Sequence, residues 1–125
     1  MSRPVLVVDD DTDLREALEE VLRDAGYTVF GAGNGLQALE VLRREPVQPA
    51  LVLLDMMMPV MDGATFGRQM RQVEAWRDIP VLVFSASANA RQVAEEMGAC
   101  GYLRKPVDVE TLLKAVAANK APEAP

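Results

Sequence analysis

The chain has 125 residues, 50% of them hydrophobic and 26% charged, with a formal net charge of −6. That length suits one domain, is short for two, and lets a single core exclude about two-thirds of the surface an unfolded chain exposes. The acidic balance argues against direct nucleic-acid binding, whose usual footprint is a basic stripe, and with no histidine and one cysteine neither a zinc site nor an internal disulfide is expected.

Short apolar runs alternate with segments of helical period. Val5-Leu6-Val7-Val8 has no polar alternation, as suits a strand buried on both faces of a parallel sheet. Leu14, Ala17, Leu18, Val21, Leu22 and Ala25 then fall on one helical stripe, with Thr12 or Asp11 as cap and Gly26 just past its end. Thr28-Val29-Phe30 reads as a second strand. Asn34 caps a second helix marked by Leu36, Leu39 and Leu42. Leu51-Val52-Leu53-Leu54 is a third apolar run, followed by a helix marked by Phe66, Met70 and Val73. Trp76 lies in the connection to a fourth strand, Val81-Leu82-Val83-Phe84, as a packing anchor. Val93 and Met97 mark a fourth helix ending at Gly98, and Cys100 reads as a small buried or half-buried filler. Gly101-Tyr102-Leu103 is a weaker fifth strand, and Val109, Leu112, Leu113 and Val116 mark a fifth helix. The expectation is a single α/β domain over residues 1–119. It has the doubly wound (βα)5 form, with a five-stranded parallel sheet in order 2-1-3-4-5 and right-handed crossovers. Residues 120–125 read as a disordered tail or the start of a linker.

Polar residues fall at the carboxyl ends of these strands. Asp9 and Asp10 follow the first, Asp55 the third, Ser85 the fourth and Lys105 the fifth. Ligands of doubly wound sheets bind at that end, where the strand order reverses. Two unit charges about 5 Å apart repel by about 3 kcal/mol at an effective dielectric near 20, so three carboxylates in one crevice call for a positive occupant. An all-oxygen set suits a hard cation such as Mg²⁺. The competing reading is that Asp9, Asp10 and Asp11 are solvated acids favoured by a helix N-terminus. Met56, Met57 and Met58, beside hard carboxylates, read as packing rather than as a soft-metal box.

Taken together, Val7-Val8-Asp9-Asp10, Leu54-Asp55-Met56-Met57-Met58-Pro59, Met61-Asp62-Gly63, Ser85-Ala86 and Lys105-Pro106 resemble the receiver domain of two-component response regulators. The resemblance covers about residues 4 to 119. It implies a flavodoxin-like fold and gives Asp55 the role of phosphoacceptor. Asp9 and Asp10 become the acid pair that, with Asp55 and the backbone carbonyl of Met57, holds Mg²⁺. Ser85 becomes the switch hydroxyl, Lys105 the partner of a phosphoryl oxygen, and Tyr102 the switch aromatic. A cis Lys105-Pro106 bond is implied as well. The implied donor is a histidine kinase or phosphotransfer protein. The implied output is docking of a downstream protein on the fourth helix, fifth strand and fifth helix, by a monomer or a weak phosphorylation-dependent dimer.

Other classes leave different marks. An Asp-nucleophile phosphohydrolase places its nucleophile after the first strand and is longer. A flavin carrier needs a hydroxyl- and glycine-rich loop where this chain has aspartates. An interaction-only receiver has no use for the full acid set. Met1 to Pro4 lead straight into a strand-like run, and no apolar stretch approaches the roughly 20 residues that span a bilayer. A cytoplasmic protein without membrane insertion is therefore the default expectation.

Overall fold

The computed structural model describes residues 3–56 and 61–121. Strands and helices alternate along the chain: β1 (Val5–Val8), α1 (Thr12–Asp24), β2 (Val29–Ala32), α2 (Gly35–Arg44), β3 (Leu51–Asp55), α3 (Gly63–Arg71), β4 (Val81–Ser85), α4 (Ala90–Met97), β5 (Gly101–Arg104) and α5 (Val109–Asn119). The strands form one parallel sheet, as the alternation predicts, and their order is the expected β2-β1-β3-β4-β5. The unbroken apolar runs are the inner strands. Every residue of β1, β3 and β4 is buried. The edge strands β2 and β5 are only partly covered.

Side-chain alternation along the strands divides the core in two. Leu6, Val8, Val52, Leu54, Val81 and Val83 face α2, α3 and α4, where Leu39, Leu42, Phe66, Met70 and Ala94 cover them. Val5, Val7, Leu51, Leu53, Leu82 and Phe84 face α1 and α5, under Leu18, Leu22, Leu112 and Val116. Trp76, in a 3-10 turn over Glu74–Trp76, packs into the first of these cores.

Helix starts are set by short polar side chains that accept from otherwise unpaired N–H groups. Asp11 accepts from Leu14 N, Asn34 from Gln37 N, Asp62 from Thr65 N and Asp108 from Thr111 N. The end of α4 takes Gly98 in a left-handed conformation at φ 71, where a Cβ would be strained.

Several local expectations shift. Strand β2 runs two residues beyond Phe30, through Gly31 and Ala32. Val73 lies beyond the end of α3 and is exposed, as are Leu36 and Val109. Helical spacing selects a stripe, yet residues in the first turn or past the last hang over the rim of the sheet. Cys100 is exposed as a residue, where the sequence predicts a buried or half-buried filler; its Sγ, which donates to the Val81 carbonyl, is nevertheless partly shielded from water, and that desolvation pushes the thiol pKa up. Lys120 N and Ala121 N donate to the carbonyls of Val116 and Ala50, and residues 122–125 lie outside the described part.

The Thr65 N–H holds the Asp62 carboxyl below the usual carboxylate range. With its folded pKa depressed, this cap adds stability above the unfolded value of 3.8 and loses it as pH falls through the folded value. Asp62→Ala is expected to cost about 1 kcal/mol at neutral pH. The difference from wild type should shrink in acid below the ordinary carboxylate value, as read from urea midpoints across pH.

Candidate functional site

Register carries the polar residues to one end of the sheet. Val8 pairs with Leu54, so the next residues, Asp9 and Asp55, stand side by side past two adjacent central strands. Asp55 is level with Phe84, and Ser85 with Arg104, which brings Ser85 and Lys105 to the same rim. The junction of β1 and β3 is where the chain reverses its order of laying down strands, the expected crevice of this topology.

Asp9, Asp10 and Asp55 each offer a carboxylate oxygen, and these oxygens lie within 4.8 Å of one another. Asp9 and Asp55 are buried, at 2% and 4% exposure, while Asp10 is open to solvent. Asp11 takes no part in the cluster: it is the cap of α1, so the solvated-acid reading holds for that one member of the run. Its N–H donates to Asp9 Oδ1 at 2.9 Å, fixing the first carboxylate of the set.

Lys105 supplies the positive charge. Its Nζ lies 3.0 Å from Asp9 Oδ2 and 3.5 Å from Asp55 Oδ1. The ammonium also sits 5.1 Å from the centre of the Phe84 ring, whose negative face attracts it. Lys105 N donates to the Ser85 carbonyl at 3.0 Å, which ties the two rim residues together, and the Lys105-Pro106 bond is cis. Ser85 is buried, and its Oγ accepts from Ser87 N at 3.1 Å. The hydroxyl proton is thus left for another acceptor.

Charge counting tests the fit of a metal. Three carboxylates and one ammonium leave two negative charges in a largely buried cluster, and every candidate ligand atom is a hard oxygen. Such a set fits a divalent oxygen-loving cation like Mg²⁺, which takes one or two carboxylates and keeps several waters. The Met57 carbonyl, expected as a further ligand, lies outside the described residues.

Tyr102 stands apart from the cluster on β5, level with Val83, and is 40% exposed. Beside the acids lies a cavity of about 380 Å³ whose lining includes Leu14, Leu18, Phe84, Lys105 and Pro106. Its walls are mainly apolar, so the charged pocket has a hydrophobic shoulder between α1 and the loop after β5.

Two features escape the sequence reading. Gly63 lets α3 start against the end of β3, since a Cβ there would lie 2.7 Å from the Asp55 carbonyl oxygen. Arg15 donates through Nη1 to the Asp9 carbonyl at 2.8 Å. The available signal is a cation in the first turns of α1, where the helix dipole disfavours one.

Comparison with known proteins gives a consistent result. The family model described as the response regulator receiver domain matches residues 5–117. "Sporulation initiation phosphotransferase F" of Bacillus subtilis is 37% identical over 118 residues, covering 93% of this chain and 92% of that protein. "Response regulator MprA" of Mycobacterium ulcerans is 42% identical over 115 residues, covering 90% of this chain but only 48% of that protein. The chain therefore spans nearly all of the first relative and about half of the second. Among solved structures, chemotaxis protein CheY4 of Vibrio cholerae superposes with a TM-score of 0.86 at 32% identity, over 94% of this chain and 98% of that one. Among the described residues, no helix is long and apolar enough to cross a membrane.

The pairing of Lys105 with two buried carboxylates has a measurable consequence. Lys105→Met is expected to lower the stability of the metal-free protein by about 2 kcal/mol, less than for a fully buried pair because the lysine keeps some solvent contact. In an Asp55→Asn background the same change should cost clearly less, since one repelling charge is already gone. Urea denaturation of the four proteins of the cycle in a chelator measures both.

Proposed function

Because the chain belongs to the family of response regulator receiver domains, signalling modules of two-component systems, we propose that Asp55 accepts a phosphoryl group from a phosphohistidine on a kinase or phosphotransfer protein. The observation that carries this reading is the buried Asp55 carboxylate beside Asp9, Asp10 and the Lys105 ammonium, at the mouth of the β1–β3 crevice.

A carboxylate oxygen of Asp55 attacks phosphorus. The new P–O bond forms as the P–N bond to the donor imidazole breaks, and the ring nitrogen keeps the electron pair. The obstacle is that both reactants are negative. Asp9, Asp10 and Asp55, joined by family analogy by the Met57 carbonyl, would hold Mg²⁺, which would supply positive charge to offset this repulsion. Lys105 moves from its carboxylate partners to a phosphoryl oxygen, and the free proton of Ser85 donates to another. The apolar shoulder around Leu14, Leu18 and Pro106 gives a donor helix somewhere to rest while its imidazole reaches Asp55.

Readout follows from the same contacts. Moving a two-state surface from 1:99 to 99:1 takes about 5.5 kcal/mol. Charge-assisted hydrogen bonds at about 1.5–3 kcal/mol each, two from Ser85 and Lys105 with help from their neighbours, reach that figure. Ser85 and Lys105 are joined by a main-chain hydrogen bond at the β4–β5 rim. A shift of Ser85 toward phosphate leaves room beside β4 for Tyr102 to turn inward. That changes the α4-β5-α5 face on which a downstream protein, or weakly a second copy, docks. The receiver unit is residues 1–119, and the segment 120–125, read as a tail or the start of a linker, begins with Lys120 and Ala121 still bonded to it through their N–H groups. The chain turns over no external substrate; it promotes its own phosphotransfer and dephosphorylation.

Incubation with acetyl phosphate and Mg²⁺ should add the mass of one phosphoryl group to the intact protein. Asp55→Asn and omission of Mg²⁺ should each abolish the gain. A mass gain that persists in Asp55→Asn would refute the assignment.

A further inference from the structure

The loop that carries Asp9 and Asp10 is gripped from behind by a residue with no carboxylate or hydroxyl to offer. Arg15 reaches from α1 to the Asp9 carbonyl, with Nη1 donating at 2.8 Å. Its side chain is only 19% exposed, and its Nε lies 3.7 Å from Glu19 Oε2. Glu19 is itself 13% exposed and pressed against β2, where Gly31 makes room: a Cβ there would lie 2.8 Å from Glu19 Oε1. Edge strand, glutamate, arginine and loop carbonyl therefore form one continuous brace.

The charge of Arg15 is unfavourable here on two counts. A cation near the start of a helix opposes the dipole, and a cation behind a metal-binding loop repels the metal. What the position uses is a rigid donor able to hold a carbonyl. We propose that Arg15 is a positioning residue for the cation-binding loop: by fixing the Asp9 carbonyl it fixes the Asp9–Asp10 peptide, and with it the direction of both carboxylates. The proposal rests on the reading of this site as an Mg²⁺ site and adds the device that preorganises it.

Positioning and charge predict opposite signs, which makes the test decisive. In Mg²⁺ titrations by calorimetry, Arg15→Ala should weaken binding about tenfold, the usual effect of losing a partner behind a metal ligand. In metal-free protein the Asp11 N–H, which donates to Asp9 Oδ1, should exchange with deuterium faster by a comparable factor. Arg15→Lys, which keeps a long donor, should recover most of the affinity. Arg23→Ala removes another cation near Glu19, 3.5 Å away, without touching Asp9, and should leave both readouts unchanged. Should Arg15→Ala fold poorly, Arg15→Met, which keeps the bulk but removes both the donor and the charge, should show the same loss. Tighter Mg²⁺ binding by Arg15→Ala, the result for simple charge repulsion, overturns the proposal, as does unchanged exchange at Asp11. If the wild type takes up no Mg²⁺, the metal reading of the site fails and takes this role with it. A wild type that binds Mg²⁺ alongside an Arg15→Ala that binds it equally well removes the positioning role alone.

Discussion

One ammonium group placed between two buried carboxylates governs this molecule's working end. Lys105 lies within 3.5 Å of both Asp9 and Asp55, and neither acid has much water to spread its charge. The arrangement is tolerable but short of neutral, because Asp10 adds a third carboxylate within reach. A site left with surplus negative charge has a standing affinity for a divalent cation. The lysine that partly offsets this charge sits on the same rim, 3.0 Å from Asp9 and 3.5 Å from Asp55.

The fold creates this crowding by register more than by local preference. The register sets Asp9 beside Asp55, with Ser85 one step and Lys105 two steps further out on the neighbouring strands, so the rim reads Asp9, Asp55, Ser85 and Lys105 as a rising row. No pair in that row is close in sequence; Lys105 and Asp9 are 96 residues apart. The apolar runs beneath supply the rigidity. The inner strands are buried on both faces, so a side chain at their ends is aimed by packed backbone on either side. That is the support a charged cluster needs, since a small displacement would trade the Lys105 contacts for unrelieved repulsion.

Much of this is legible in the order of residues. Unbroken apolar runs identify the inner strands, because burial on both faces leaves no polar alternation to find. Asn34 and Asp11 are legible as caps because the physics is local: one side-chain oxygen, one N–H three residues on. The acid cluster is legible because strand ends are easier to place than helix faces. Three things are not. The true length of β2 is hidden by Gly31, which weakens a strand pattern yet is there to seat Glu19. The exposure of Leu36, Val73 and Val109 depends on where each helix overhangs the sheet, a tertiary fact. The role of Arg15 is hidden because its partner is a main-chain carbonyl, which every residue has; its unfavourable place near the start of α1 is the one trace.

That last point bears on how such a site is held. The acids are visible to chemistry, but their aim depends on neutral groups: the Asp11 N–H on Asp9, the Asp9 carbonyl under Arg15, the Asp55 carbonyl pressed by Gly63, the Ser85 carbonyl bonded to Lys105 N. Each acidic strand end is thus held through its backbone, and the Asp9 carboxylate is held directly as well, by the Asp11 N–H on Oδ1 and the Lys105 ammonium on Oδ2. With the backbone fixed on both sides, the Lys105 ammonium lies 3.0 Å from Asp9 and 3.5 Å from Asp55, between two partners a short distance apart, and its own N–H ties it to Ser85 at the rim.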